Sequence, residues 1–360
     1  MSAQTPIRVL VIDDSAYSRR TITRMLETSP LVEVVGWARD GEEALRKALQ
    51  LRPDLVTLDL EMPRMDGFTL LRLLMAKRPT PVLVVSGRSG DEEVFRALEL
   101  GAVDFVAKPS LRAAPELATI QEELIRKVHA TRQLRMDKVR DRISQAPALV
   151  RARDPVRDGR LRVVAIGSST GGPAALMQVF GAFGEAPDCA FVVSQHMPEG
   201  FTRGFAERID RLTPVAAHEA EGGEALTRGS VLLAPGGHHL EFELRGATPV
   251  TRLVERGPED KYAPSVDRMF ESAAKHFGSD LLAVVLTGMG DDGRRGVRAV
   301  RDAGGSVIAE SEETAVIFGM PQQAIRTGAV DAVLPLRDIA PAIQAGLPRG
   351  RDARIGEGSA

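Results

Sequence analysis

The chain has 360 residues, which is long enough for two domains that each bury their own core. With 43% hydrophobic and 27% charged residues it has the composition of a globular protein, and its net charge of -2 excludes bulk attraction to nucleic acid or membrane. The sequence shows no secretory pattern at its start and no run of membrane-spanning length, so we expect a cytoplasmic protein without membrane insertion. The only cysteine, Cys189, excludes an internal disulfide, and its apolar neighbours indicate a core residue.

The first half alternates short β-branched runs with helical segments, from Ile7 to about Val139. The strand runs are IRVLVIDD, VEVVGWA, DLVTLDL, PVLVVSG and AVDFVAK. A fivefold alternation of this kind predicts a parallel sheet with helices on both faces. We therefore expect an α/β domain of five strands over residues 1–137.

Residues 138–160 lose the apolar periodicity, and basic residues outnumber acidic ones there. We interpret this stretch as a linker, partly helical at its start and extended near Pro147 and Pro155. A second strand–helix series follows over residues 161–346, with strand runs LRVVAIGSS, CAFVVSQH, SVLLAP, LLAVVLTG and SVIAE. A predicted hairpin, HHLEFELRGATPVTRLVE, interrupts this series, so the sheet could be mixed. Residues 347–360 are polar and glycine-rich and are expected to be disordered.

Five polar side chains follow the predicted strands of the first half: Asp13, Asp14, Asp59, Ser86 and Lys108. Because ligands collect at the carboxyl ends of parallel strands, one site can hold all five. Three clustered carboxylates require a cation, and oxygen ligands favour Mg²⁺. Asp59 would then accept a phosphoryl group, while Lys108 and the Ser86 hydroxyl would contact it. The alternative for any one of these residues is an ordinary polar strand end.

The runs VIDDS, LDLEMPRMDG, VVSG and DFVAKP resemble the landmarks of the receiver domain of two-component response regulators, over about the first 125 residues. The resemblance implies a flavodoxin-like fold, with a histidine kinase phosphorylating Asp59 and Phe105 at the aromatic switch position. The implied ligands of Mg²⁺ are Asp13, Asp14, Asp59 and the backbone carbonyl of Glu61.

A second group of reactive residues, Ser169, His196 and Asp292, follows apolar strands of the second half. The run GSSTG fits the G-x-S-x-G nucleophile elbow, although that pattern alone is weak in a chain with 34 glycines. A serine nucleophile needs a base, and the base needs an orienting carboxylate. Strand-end geometry can bring His196 and Asp292 to Ser169. Asp291 competes for the carboxylate role, and spacing does not decide between the two.

Other interpretations of the second half stay open at this point. The run GSSTGG could form an anion-binding turn for a phosphate or nucleotide, although it lacks the lysine of a P-loop. The second half could also be a binding output, for example to DNA, although it has no helix-turn-helix signature and no basic face. TGMGDDG could be only a turn and helix cap. His238 and His239 are expected in a solvated turn and not as metal ligands.

The motifs AIGSSTGGP, QHMP, LAPGGHH, APSVDRMF and LTGMGDDG resemble, in order and spacing, those of the chemotaxis protein-glutamate methylesterases of the CheB family. The resemblance covers nearly the whole chain and implies a C-terminal doubly wound α/β methylesterase domain that needs no cofactor for ester hydrolysis. It implies Ser169 and not Ser168 as the nucleophile, His196 as the base and Asp292 as the carboxylate.

The same resemblance implies that Thr170 and the backbone of Met289 lie near the oxyanion. It also implies a substrate, glutamate γ-methyl esters on the cytoplasmic helices of methyl-accepting chemoreceptors, with deamidation of receptor glutamines as a second activity and a chemotaxis histidine kinase as phosphoryl donor. A methylesterase of a non-motility pathway is an alternative. The sequence departs from a common family form at Ser168 and Asp291, where alanine and asparagine are frequent.

Overall fold

The computed structural model describes residues 5–87, 91–108, 114–144 and 161–346; the side chains of residues 91, 114–119 and 144 are not described. The chain divides into two compact units, Met1–Gln145 and Ala146–Ala360. The described residues do not include the predicted disordered tail, the predicted extended part of the linker, or Pro109, the last residue of the run DFVAKP.

The first unit contains a parallel five-stranded sheet in the order β2-β1-β3-β4-β5, which confirms the flavodoxin-like receiver fold. The strands are β1 Ile7–Ile12, β2 Val32–Ala38, β3 Leu55–Leu58, β4 Val82–Ser86 and β5 Asp104–Ala107. The helices are α1 Ala16–Leu26, α2 Gly41–Leu51, α3 Gly67–Lys77, α4 Asp91–Glu99, α5 Ala114–Ala130 and α6 Met136–Ser144. Strands β3 and β4 are buried throughout, as expected of central strands covered on both faces.

Three of these helices begin at side-chain caps, and each cap follows a loop at the carboxyl end of the sheet. Ser15 accepts a hydrogen bond from the N–H of Ser18, while Asp40 and Asp66 accept bonds of 2.9 and 2.7 Å from the N–H groups three residues further on. A cap of this type contributes about 1 kcal/mol. The caps therefore hold in place the loops after β1, β2 and β3, where the acidic residues lie.

The second unit contains a seven-stranded sheet in the order β14-β13-β12-β6-β7-β9-β8, in which every pair is parallel. Its strands are β6 Val163–Ser168, β7 Ala190–Gln195, β8 Ala216–Glu219, β9 Ser230–Leu233, β12 Leu281–Val285, β13 Ser306–Glu310 and β14 Ala332–Leu334. The hairpin, β10 His238–Arg245 and β11 Thr248–Glu255, forms a separate antiparallel sheet. The mixed sheet left open by the sequence is not formed, because β10 packs instead on helix α9 (Val266–Phe277), where the Phe242 N–H bonds Ser272 Oγ at 2.8 Å.

Helices cover both faces of this sheet. Besides α9 they are α7 Gly172–Gly181, α8 Thr202–Leu212, α10 Arg294–Asp302, α11 Met320–Ile325 and α12 Leu336–Ala345. Within the described ranges, no helix combines the length and apolar character needed to cross a membrane.

Each sheet has a point where the chain changes the direction in which it adds strands. In the first sheet this point lies between β1 and β3, and in the second it lies between β6 and β12. Ligands of doubly wound sheets bind outside the carboxyl ends of strands at such points. The fold therefore provides one crevice in each unit. Asp13 and Asp59 follow the two strands at the first crevice, Ser169 and Asp292 follow those at the second, and His196 follows the neighbouring β7.

Candidate active site

The crevice of the first unit holds a cluster of carboxylates. Oxygens of Asp13, Asp14 and Asp59 lie within 4.8 Å of one another. Lys108 Nζ lies 2.6 Å from Asp59 Oδ2 and 3.1 Å from Asp13 Oδ2. Burial raises the pKa of Asp13 and Asp59, and Lys108 opposes this rise. Among the ion pairs of the described residues, only Lys108 contacts these carboxylates, so the remaining negative charge and the hard oxygen donors fit a divalent cation such as Mg²⁺.

The other predicted receiver residues surround this cluster. The N–H of Glu61 lies 3.4 Å from Asp59 Oδ1, which puts its backbone beside the carboxylates. Ser86 is buried at the end of β4, and Phe105 is buried in β5. Sequence analysis missed the buried Lys127 of α5, whose Nζ donates to the Phe105 carbonyl at 2.5 Å and pairs with Asp104 at 2.9 Å.

In the second unit, Ser169 occupies the tight turn between β6 and α7. Its N–H donates to the Thr287 carbonyl at 3.1 Å. The neighbouring Ser168 is fully buried, and its hydroxyl donates to Gln195 Oε1 at 2.6 Å. Gln195 Nε2 in turn donates to the carbonyls of Ser169 at 3.0 Å and His196 at 2.9 Å. Gln195, which sequence analysis missed, thus links the serine turn to the end of β7, and Ser168 serves this link.

His196 and Asp292 form a buried pair although they are 96 residues apart in sequence. His196 Nε2 lies 2.8 Å from Asp292 Oδ2, and the two residues are 8% and 5% exposed. Among the described residues, His196 Nδ1 is buried and has no hydrogen-bond partner. Asp291, by contrast, is exposed, with Oδ1 3.7 Å from Lys261 Nζ. The tertiary structure therefore pairs the imidazole with Asp292 and leaves Nδ1 as the nitrogen available to a hydroxyl.

The N-terminus of α9 holds the Asp292 carboxylate. Oδ2 accepts the Val266 N–H at 2.8 Å, and Oδ1 accepts the Asp267 N–H at 2.8 Å and the Ser265 hydroxyl at 3.0 Å. Burial alone would raise the pKa of Asp292, but the bond and charge of His196 and these N–H groups lower it. The carboxylate is therefore ionised at neutral pH and can orient an imidazolium.

Helices α9 and α10 cap each other. While Asp292, just before α10, accepts bonds from α9, the Asp267 carboxylate in α9 accepts the N–H groups of Arg295 at 2.9 Å and Gly296 at 2.8 Å. The run APSVDRMF contains this support, but sequence analysis assigned it no role. The serine at position 265, a preferred cap type before an apolar run, was the available signal.

Thr170 and Met289 lie on the two loops next to Ser169. Thr170 is buried, and its carbonyl accepts the Thr287 hydroxyl at 3.1 Å. The Gly288 carbonyl accepts the N–H groups at the start of α11, at 3.1 and 2.8 Å. Because a trans peptide directs its N–H opposite to its C=O, the Met289 N–H faces away from α11. Gly288 packs so closely on the serine that a methyl group there would lie 2.8 Å from Ser169 Cβ.

The expectation of a solvated turn is wrong for His239. This residue is in β10 and fully buried, and its Nε2 lies 2.9 Å from Asp260 Oδ2. Burial lowers the pKa of His239, although Asp260 opposes the effect. Polarity in the sequence indicated exposure, but the hairpin is covered by the segment that follows it. Cys189 is buried as expected, and burial raises the pKa of its thiol to about 12.

A receiver-type sheet with an acidic pocket, joined in one chain to an α/β unit with a serine, histidine and aspartate at its crevice, defines a response regulator with a hydrolase-type output. Comparison with known protein families supports this class. Residues 164–343 match the family model for CheB methylesterase, and residues 9–119 match that for the response regulator receiver domain. The chain therefore belongs to the CheB methylesterase family.

Similar proteins extend over almost the whole chain. Protein-glutamate methylesterase/protein-glutamine glutaminase 3 of Geobacter sulfurreducens is 55% identical over 350 residues, covering 92% of this chain and 94% of that protein. Protein-glutamate methylesterase/protein-glutamine glutaminase 1 of Myxococcus xanthus is 50% identical, covering 96% of this chain and 98% of that protein. The crystal structure of the Thermotoga maritima CheB methylesterase catalytic domain has 39% identity and a TM-score of 0.50, covering 52% of this chain and 98% of that domain. The DNA-binding and nucleotide-binding alternatives for the second half lose their support.

Proposed function

We propose that this protein is a phosphorylation-activated protein-glutamate methylesterase that hydrolyses glutamate γ-methyl esters on chemoreceptor helices. The observation that carries the proposal is the buried His196–Asp292 pair, 2.8 Å apart, at the same crevice as the Ser169 turn. Membership of the CheB family and relatives named protein-glutamate methylesterase/protein-glutamine glutaminase support the substrate class.

The first half of the reaction forms an acyl-enzyme. Ser169 Oγ attacks the ester carbonyl, and His196 takes the hydroxyl proton on Nδ1, because Nε2 already faces Asp292. The resulting oxyanion is stabilised by backbone N–H groups near Thr170 and Met289. Collapse of the tetrahedral intermediate breaks the bond to methoxide, which leaves as methanol with the proton from His196.

The second half restores the enzyme. Water attacks the acyl carbonyl, His196 accepts a proton from it, and Ser169 leaves with that proton, which frees the receptor glutamate. A glutamine side chain would follow the same course with ammonia as the leaving group. Deamidation of receptor glutamines is therefore part of the proposal.

In this proposal the first unit controls the esterase activity of the second. Asp59 would accept a phosphoryl group from a histidine kinase, with Mg²⁺ held by Asp13, Asp14, Asp59 and the backbone carbonyl of Glu61. The cation supplies neutralising charge during transfer. Lys108 is already within 2.6 Å of Asp59 and would contact a phosphoryl oxygen, while Ser86 and Phe105 would change position in response.

Methanol release from membranes that carry methylated chemoreceptors tests the proposed function. The purified protein should release methanol, and release should increase with a small-molecule phosphoryl donor. Membranes whose receptors carry glutamine in place of the methylated glutamates should yield ammonia and no methanol. A protein that binds these membranes without releasing either product would contradict the proposal.

Loss of one buried carboxylate should weaken Mg²⁺ binding. We expect Asp13→Asn to reduce affinity at least about tenfold, since even outer-shell changes often have effects of this size. Trp37, the only tryptophan, can report the binding by fluorescence, because Arg19 lies 5.0 Å from its ring and donates to the Asp13 carbonyl at 2.7 Å. Glu33→Gln, an exposed change on β2, is the control. Equal Mg²⁺ affinities of the two variants would show that Asp13 is not a ligand of the cation.

Phosphorylation of Asp59 should raise activity about tenfold or more. A receiver tethered by a linker of some twenty residues has a high effective concentration at the catalytic unit, so even a modest interface can inhibit it. A coupling of roughly 1–3 kcal/mol is typical of such switches. Asp59→Asn should keep basal methanol release but lose activation by a phosphoryl donor.

A fragment beginning at Leu161 tests the direction of this control. It should be active without a phosphoryl donor and faster than the unphosphorylated full-length protein. A fragment no faster than the resting protein would mean that the receiver recruits substrate and does not inhibit.

A further inference from the structure

A tyrosine ring lies flat on the imidazole of His196. The two ring centroids of Tyr262 and His196 are 4.3 Å apart, and their planes differ by 10°. Stacking covers a face of the imidazole, whereas the two ring nitrogens lie in its plane and remain available to Asp292 and to the serine side. Tyr262 can therefore influence the base without taking the place of either partner.

Residues on two neighbouring segments surround the Tyr262 side chain. Lys261 Nζ lies 4.9 Å from the Tyr262 ring centroid and 3.7 Å from Asp291 Oδ1. Gly290 has φ +93, and a methyl group there would lie only 2.6 Å from the Tyr262 hydroxyl oxygen. The loop that carries Asp292 thus leaves room for Tyr262, and Asp291 anchors the lysine beside it.

Contacts of Asp260, two residues before Tyr262, hold the segment that carries the tyrosine. The Asp260 carboxylate accepts the Gly257 N–H at 2.8 Å and pairs with the buried His239 at 2.9 Å. It also lies 3.3 Å from an Arg268 guanidinium nitrogen. The hairpin and α9 therefore both hold Asp260, although it makes none of these contacts with His196 or Asp292.

We propose that Tyr262 is a positioning residue for the catalytic base, and that the segment Asp260–Asp267 supports both members of the His196–Asp292 pair. At one end Tyr262 covers the imidazole, and at the other the start of α9 holds the Asp292 carboxylate. When His196 takes the serine proton it becomes positive, and the electron-rich face of the tyrosine stabilises that charge. This inference rests on the proposed esterase function.

The pH dependence of the reaction should reveal this stabilisation. Among the described residues, Asp292 and Tyr262 contact His196. The charged and titratable groups beside these two are Lys261, Asp291, Asp267, Arg295 and Glu271. Removing the aromatic face should favour the neutral imidazole and move the acid limb of the kcat/KM profile to lower pH. A ring that only excluded water would have the opposite effect, because its removal would hydrate and favour the imidazolium.

Substitution of Tyr262 in the full-length protein tests the inference, with methanol release from methylated receptor membranes as the assay. Tyr262→Leu should lower kcat about tenfold while KM changes less than about twofold, as expected for lost stabilisation of a desolvated cation. Tyr262→Phe should retain kcat within about twofold, because the ring face is kept. Tyr17→Leu is the matched control: Tyr17 is the only other tyrosine, it is exposed in α1 of the receiver, and its loss should leave the unphosphorylated activity unchanged.

Asp260→Ala provides a second test that leaves the tyrosine itself in place. It should lower kcat in the same direction, and the double variant Asp260→Ala/Tyr262→Leu should lose no more than Tyr262→Leu alone, because both changes act through one contact. Unchanged kcat in Tyr262→Leu, or an acid limb that moves to higher pH, would overturn the inference. Ser169→Ala, assayed in parallel, separates the two levels: an active Ser169→Ala protein would overturn the proposed function itself.

Discussion

Ser169→Ala should reduce methanol release by about 10⁴-fold or more, the effect seen when a triad nucleophile is removed. The loss should appear in kcat, because the Ser169 hydroxyl is the proposed nucleophile that forms the acyl-enzyme, and the variant should remain folded. Ser169 is buried in a tight turn, and the backbone hydrogen bonds of that turn do not involve its side chain. Kinetics with and without a phosphoryl donor, together with the unfolding midpoint in urea, check both expectations.

Ser168→Ala is the matched control, because it removes the same hydroxyl one residue earlier. Ser168 donates to Gln195 Oε1 at 2.6 Å, so its loss leaves a buried acceptor unpaired and should cost about 1 kcal/mol of unfolding free energy. Activity should stay within about tenfold of the unchanged protein. Similar activity in the two alanine variants would exclude Ser169 as the nucleophile.

Asp292→Asn should lower kcat by about 10³–10⁴-fold, because the amide no longer stabilises the imidazolium of His196 and favours the wrong tautomer. The variant should also lose about 1–3 kcal/mol of stability, since the amide keeps only one acceptor oxygen and its NH₂ cannot accept whichever of the Val266 and Asp267 N–H groups it faces. The two losses are measured separately, by steady-state kinetics and by urea unfolding. Activity should fall even where the protein is fully folded.

Asp291→Asn makes the same chemical change one residue earlier. Asp291 is exposed and contacts only the exposed Lys261 among the ion pairs of the described residues, at 3.7 Å. Such a surface pair is worth about 0–1 kcal/mol, so we expect little change in kcat or stability. If instead Asp291→Asn were severe and Asp292→Asn mild, the pairing of His196 seen in the structure would not be the one used in catalysis.

The fold and family were predictable because their signals are local and repeated. Each β-branched run of the first half became a strand of a five-stranded parallel sheet, and the strand ends carry Asp13 and Asp59 at neighbouring positions. The motif AIGSSTGGP likewise placed Ser169 directly after a buried strand. Alternation of strands and helices specifies a parallel sheet, and a parallel sheet gathers its strand ends at one edge.

The arrangement of contacts around the proposed catalytic site depended on residues far apart in sequence. Spacing could not separate Asp291 from Asp292, since only the approach of α9 buries the second and leaves the first exposed. Local polarity indicated exposure for His239, but the structure buries it. Tyr262 had no local signal at all, because its partner His196 follows β7 and is distant in sequence.

The sequence by itself therefore determined the two α/β folds, the family and which strand ends carry reactive side chains, because each depends on periodicity and short motifs. Only the tertiary structure decided which carboxylate meets His196, that Ser168 bonds Gln195, and that Tyr262 covers the imidazole. Those choices depend on burial and on hydrogen bonds between distant segments, such as the 96 residues that separate His196 from Asp292. No local pattern encodes which of two adjacent side chains such a segment will cover.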